Sequence, residues 1–136
     1  MADSIFTKII KGEIPAHKVY EDKQTLAFMD IHPIQPGMVL VVPKNQVGHF
    51  FELPDEDYIA LMATVKKVAA RLKEAFPQKQ RIGVIIEGFD LPEHTHVKVF
   101  PADSGNDLRQ VPDMNAEPDN TALAAMAEKL RFEDKS

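Results

Sequence analysis

A chain of 136 residues, 44% hydrophobic and 27% charged, has one domain's length and enough apolar sequence for a core, which excludes disorder. Its net charge of -5 argues against the basic footprint of a nucleic-acid binder. The absence of cysteine excludes disulfides and thiolate metal sites and suits a reducing, cytoplasmic compartment. No run approaches the ~20 apolar residues of a membrane span, and the opening residues lack the apolar stretch of a signal peptide.

In chain order, Ser4 to Lys11 is predicted as a short helix, with Ser4 as N-cap, Ile5, Ile9 and Ile10 as an apolar edge and Gly12 as its end. Two short strands follow, Lys18–Glu21 and Thr25–Asp30, joined by the polar turn Asp22-Lys23-Gln24. His32-Pro33-Ile34-Gln35-Pro36-Gly37 is a stiff loop because two prolines fix φ. Met38 to Val42, a continuous apolar run, has the character of a central strand.

Asp55 to Phe76 is the clearest helix. Leu61, Val65, Val68, Leu72 and Phe76 recur at spacings of four and three, three acidic residues open the first turn, and Pro77 closes it. Arg81 to Ile86 and His94 to Pro101 are further strands. Residues 102–120 are polar and aperiodic and are expected to be a long surface loop; 121–132 form a short amphipathic helix. The expectation is a single α+β domain over 1–136, with its core in 4–101 and an antiparallel sheet.

The chemistry concentrates in His94-Thr95-His96-Val97-Lys98-Val99-Phe100-Pro101. Strand alternation puts His94, His96 and Lys98 on one face, each roughly 7 Å from the next, and Thr95, Val97 and Val99 on the core face. A row of two imidazoles and an ammonium suits a phosphate, and imidazole is also a nucleophile and proton carrier near neutrality. Two plainer readings stand beside this one: an ordinary solvated strand face, and a His-x-His metal chelate. Elsewhere, His17 is expected to be solvated, His49 to be a loop residue, and His32 to lie in the stiff loop beside Asp30.

Several segments together resemble the histidine triad (HIT) family: Ser4 to Ala16, Leu26 to Pro43, Glu52-Leu53-Pro54-Asp55-Glu56, and the His94–Pro101 octapeptide, in the family's order and spacing. The resemblance implies a HIT-like α+β fold with a mainly five-stranded antiparallel sheet, one long and one short helix and a C-terminal extension. It implies a homodimer that binds a purine nucleotide or dinucleoside polyphosphate and needs no cofactor. It further implies that His96 is the nucleophile attacking an α-phosphorus, through a nucleotidyl-histidine intermediate, and that His94 orients the site. Asp30 matches a ribose-contacting position; Phe6, Ile9, Phe28 and Ile31 match positions near the nucleoside. A nucleotide-binding protein with little turnover is the alternative.

Four departures qualify the match. Lys98 stands at the third triad histidine, and Met38 where many members carry a histidine after Pro-Gly. Ser4, Thr7 and Gln46 replace Cys, Cys and His of the zinc-binding branch, so no metal is expected. The Gly-Gln-Ser/Thr segment before the triad is replaced by the acidic Glu87-Gly88-Phe89-Asp90-Leu91-Pro92-Glu93. Lys98 carries an ammonium suited to a phosphate or leaving group and, at neutral pH, to donating rather than accepting a proton.

Overall fold

The apolar run after Gly37 becomes the centre of the sheet. A computed structural model of the chain, describing residues 2–133, places strands β1 (Lys18–Glu21), β2 (Thr25–Met29), β3 (Val39–Pro43), β4 (Arg81–Ile85) and β5 (Val97–Ala102) in one antiparallel sheet of order β1-β2-β3-β5-β4. Helices α1 (Ile5–Ile10), α2 (Asp55–Ala75), α3 (Gly105–Leu108) and α4 (Asn120–Leu130) surround it. Among the described residues no helix is long and apolar enough to cross a membrane.

Every residue of β2 and β3 is buried, because both faces of the sheet are covered. On one face Ala27, Met29, Val39, Val41, Val97 and Val99 pack against Leu61, Val65, Val68 and Leu72 of α2 and Leu123, Ala127 and Leu130 of α4. On the other, Leu26, Phe28, Leu40 and Val42 meet Phe6 and Ile9 of α1. This two-sided burial explains why β3 reads as an unbroken apolar run rather than an alternating one. It also corrects the solvated-face reading of the triad segment, because His94 and His96 lie on the α1 side and are buried.

Polar contacts fix the register of these layers. Asp22 accepts from the backbone N–H of Gln24 and Thr25 and from the hydroxyls of Thr25 and Tyr20, at 2.8–2.9 Å, closing the β1–β2 turn. Burial would raise the Asp22 carboxyl, but these donors outweigh it and hold it below the usual range. The Thr25 and Thr64 hydroxyls meet at 2.7 Å and tie β2 to α2 inside the core. Gly37, at φ +88, makes the turn into β3; a side chain there would be strained and would press on the Phe76 ring.

The C-terminal segment belongs to the core rather than trailing from it. Arg71 of α2 donates to the carbonyl oxygens of Lys129 and Leu130, satisfying the open end of α4. Phe132 donates its backbone N–H to Val19 and stacks on Tyr20 at 4.7 Å. Residues 102–120 are also more ordered than a structureless loop, since Asp107 in α3 accepts from the Asp103 N–H at 2.8 Å. The histidines differ from expectation in one further way: the β5 ladder begins at Val97, so His94 and His96 lie on the segment leading into it.

Candidate functional site

Ser4, the N-cap of α1, accepts a hydrogen bond from the Thr7 N–H at 3.0 Å. Its Oγ also lies 2.6 Å from His94 Nδ1, while His94 Nε2 lies 2.8 Å from the Pro43 carbonyl oxygen. A carbonyl only accepts, so Nε2 carries a ring hydrogen, and Nδ1 faces the Ser4 hydroxyl. Complete burial disfavours the charged ring and pushes the His94 pKa down, with the neighbouring His96 adding to the effect, so the ring is held neutral.

The approach of His94 to Pro43 depends on a tight crossing of two loops. Thr95 N–H donates to the Val47 carbonyl at 2.7 Å, and its hydroxyl donates to the same oxygen at 2.8 Å. A Cβ at Gly48 would lie 2.5 Å from the Pro92 carbonyl oxygen, so only glycine permits this approach.

His96 is set by His94's main chain. Its Nδ1 donates to the His94 carbonyl at 2.9 Å, which points Nε2 toward the neighbouring pocket. There Nε2 meets Asp90 Oδ1 at 2.8 Å, and Asp90 Oδ2 meets the Lys98 ammonium at 3.0 Å. Glu87 lies 3.5 Å from the same ammonium. Burial would raise the Asp90 carboxyl, but Lys98, Glu87 and His96 together bring it down to about 2. Burial would lower Lys98, but Asp90 foremost, then Glu87 and Asp30, raise it above its ordinary value, so it is a fixed cation.

These groups form the charged wall of a pocket of about 470 Å³, the size of a small-molecule site. Phe6, Ile9, Phe28 and Leu40 line its apolar side, and Asp30, Ile31 and His32 come from the stiff loop after β2. The Phe6 ring packs edge-on to His96 at 5.1 Å, to His94 at 5.6 Å and to Phe28 at 5.5 Å. Asp30 is raised above the usual carboxylate range by burial, although the His32 N–H donates to it at 2.9 Å. The structure thus brings Phe6, Ile9, Phe28, Asp30, Ile31, His96 and Lys98 around one cavity. His94 stands behind His96 and does not line it.

Pocket residues beyond the sequence reading come from three parts of the chain. Pro112, Met114 and Asn120 contribute from the region expected to be a long surface loop, either functional or partly disordered. His17, expected to be solvated, pairs with Asn120 at 3.1 Å and lines the cavity. Asp90 is the other addition. The acidity of its segment was visible, but not that this carboxylate would seat itself between His96 and Lys98.

Two clusters bear on metal binding. Ser4, Thr7, Gln46 and His94 converge: the Thr7 hydroxyl donates to Gln46 Oε1 at 2.7 Å, and the same oxygen accepts from the Ser4 N–H at 2.8 Å. Three neutral oxygens and one imidazole, already bonded to one another, do not fit the thiolate and imidazole set of a structural zinc. Glu87, Asp90 and His96 place ligand atoms within 4.8 Å of one another, but the cation against both carboxylates is the Lys98 ammonium.

Residues 11–105 match the HIT domain. An uncharacterized HIT-like protein of Methanocaldococcus jannaschii is 50% identical over 70 residues, covering 52% of this chain and 54% of the relative; the chain thus spans about half the length of that relative. The adenosine 5'-monophosphoramidase HNT1 of Candida albicans is 42% identical over 109 residues, covering 74% of this chain and 70% of the relative. A crystal structure of a HIT-like protein from Bartonella henselae, described as involved in cell-cycle regulation, superposes with a TM-score of 0.82 at 32% identity, covering 95% and 94% of the two chains.

The neutral state of His94 has a consequence for acid stability. A histidine whose pKa is lowered by folding takes up its proton more readily when unfolded, so stability falls as pH drops below about 6.5. The Asp90 shift has the same direction at lower pH: its contribution is complete above about pH 4 and is lost as pH falls toward 2. Urea denaturation of wild type and His94→Gln between pH 7 and 5 is expected to show a steeper loss in wild type. Equal slopes would contradict a buried neutral His94.

Proposed function

The chain belongs to the HIT family, and from that premise we propose that it is a nucleotidyl hydrolase or transferase acting on the α-phosphate of nucleoside phosphoramidates or (di)nucleoside polyphosphates. The observation that carries this reading is the orientation of His96: Nδ1 is held on the His94 carbonyl, leaving Nε2 as the atom presented to the pocket beside the Lys98 ammonium. A nucleoside fits against Phe6, Ile9, Phe28 and Ile31, with Asp30 for the ribose hydroxyls and the phosphate at the charged wall. The name of the Candida albicans relative, a monophosphoramidase, supports the same chemistry.

The reaction follows from these positions. His96 Nε2, without a hydrogen, attacks the α-phosphorus and forms a P–N bond as the bond to the leaving group breaks. Lys98 stabilises the phosphoryl oxygens or gives a proton to the departing group. Water, or an acceptor hydroxyl in transfer, then attacks phosphorus as the P–Nε2 bond breaks; its proton returns to Lys98 where Lys98 gave one up and otherwise passes to solvent, and the imidazole is restored. The neutral, buried His94 takes no proton in this scheme; its carbonyl holds the Nδ1 hydrogen and the ring angle.

The proposal includes a cytoplasmic homodimer. β4 is an edge strand whose outer side is unpaired among the described residues, Val84 is exposed on it, and Ile59 of α2 and Phe51 are exposed as well. Two-fold pairing would cover such an edge. Light scattering is expected to give about 30 kDa, twice the 15.3 kDa chain. A monomer mass at every concentration would contradict it.

The reading of His96 and Lys98 is tested by substitution. His96→Ala is expected to abolish both the protein-bound nucleotide adduct and turnover of adenosine phosphoramidate, while nucleotide binding falls only modestly. Lys98→Ala is expected to slow turnover by about a hundredfold or more, the scale of losing one donor to developing charge. Lys98→His, which restores the third histidine, is expected to keep hydrolysis and to bring imidazole titration into its pH profile. If wild type and Lys98→His both form no adduct while nucleotide still binds, the protein is a nucleotide-binding module instead.

A further inference from the structure

The charged wall of the pocket already holds an anion of the protein's own. His96 and Lys98 are nearly enclosed, with side chains 3% and 12% exposed, whereas Asp90 between them is 45% exposed. One carboxylate oxygen takes the His96 Nε2 and the other takes the Lys98 ammonium. That is the pair of contacts two oxygens of a phosphate would make. The contact also covers the nucleophile: with Nδ1 on the His94 carbonyl, Nε2 is the ring atom facing the pocket, and Asp90 Oδ1 lies against it.

The cationic pair is fixed and the anion is movable. His96 is pinned by the His94 carbonyl and the Phe6 ring, and Lys98 is on the β5 ladder opposite Leu40 and Ile85. Asp90 sits on an exposed loop between Ile85 and His94, which turns at Gly88 with φ +74. Its local shape is held by Glu87, whose Oε1 accepts from the N–H groups of Phe89 and Asp90 at 2.6 and 3.3 Å. Removing Asp90 from the wall therefore requires moving a surface loop and leaves the sheet untouched.

We propose that Asp90 is a specificity-determining residue: its carboxylate occupies the anion seat between His96 and Lys98, and a ligand's phosphate binds only by displacing it. The proposal rests on His96 and Lys98 being the phosphate-facing pair. It adds that this chain discriminates against weak anions, and that displacing the carboxylate is what gives a ligand access to Nε2. A ligand without an anionic group, such as a free nucleoside, meets no such competition because it can leave the seat to Asp90.

The test is a titration of wild type, Asp90→Asn and Asp90→Ala with inorganic phosphate, adenosine monophosphate and adenosine, followed on the His96 ring nitrogens by NMR. Losing a charge-assisted internal competitor is expected to tighten phosphate and adenosine monophosphate by about tenfold or more in both variants, leaving adenosine unchanged. Phosphate affinity that is unchanged or weaker in both variants overturns the proposal, since Asp90 would then support the site rather than compete for it. Failure of phosphate to perturb His96 in either variant overturns it as well. If phosphate tightens but adenosine monophosphate binds no better than phosphate alone, the exchange at the seat stands and the nucleotide reading falls.

Discussion

The imidazole of His94 is the point at which three separate parts of the chain are locked together. It reaches the N-cap hydroxyl of α1 on one side and the last carbonyl of β3 on the other, while its own backbone leads into β5. Being completely buried, it cannot exchange these partners for water, and the loss of either would leave a polar group stranded in the interior. Everything that makes the pocket chemically interesting follows from this placement. Its carbonyl sets the His96 ring, and the α1 it anchors brings Phe6 against both histidines.

Two histidines two residues apart thus do opposite jobs. His94 is paired with a hydroxyl and a carbonyl, neither of them charged, and is held neutral in the interior; His96 faces a carboxylate at the pocket wall. The difference comes from what surrounds each ring rather than from the residue type. A sheet covered on both faces makes this possible: α2 and α4 supply the apolar core, and α1 closes the opposite side without filling it. The space left over becomes the cavity, with hydrophobic side chains for a flat ligand and one charged end. Since the C-terminal helix is part of the core on one side, the segment before it is carried round to the pocket on the other, where Pro112, Met114 and Asn120 lie.

The sequence pattern made the architecture legible where one periodicity dominated. The spacing of Leu61, Val65, Val68 and Leu72 placed α2 to within a residue at its C-terminal end, and Ser4 marked the start of α1. Strand alternation put Val97 and Val99 in the core against α2, on the side away from the histidines. It could not reveal that the histidine side was also buried, because that depends on a helix more than eighty residues away folding over it. Phe6, Ile9, Phe28, Asp30 and Ile31 were found by family resemblance, since nothing in their local spacing brings them together. Asp90 and His17 stayed out of sight for a different reason: Asp90 bridges His96 and Lys98 from a loop and His17 pairs with the distant Asn120, and a lone polar residue on a loop carries no periodic signal. Residues 112–120 have no pattern of their own either, so their place at the pocket comes from α4 docking on the core.

The claim on which the whole account turns is that the charged wall is a phosphate seat served by His96 Nε2 and Lys98. A crystal structure of the protein with adenosine monophosphate bound tests it most directly. The account predicts the nucleoside against Phe6, Ile9 and Phe28, the phosphate within hydrogen-bond distance of His96 Nε2 and Lys98 Nζ, Asp90 swung out toward solvent, and His96 Nδ1 still on the His94 carbonyl. A nucleotide bound with its phosphate elsewhere, and Asp90 still seated between His96 and Lys98, would contradict it.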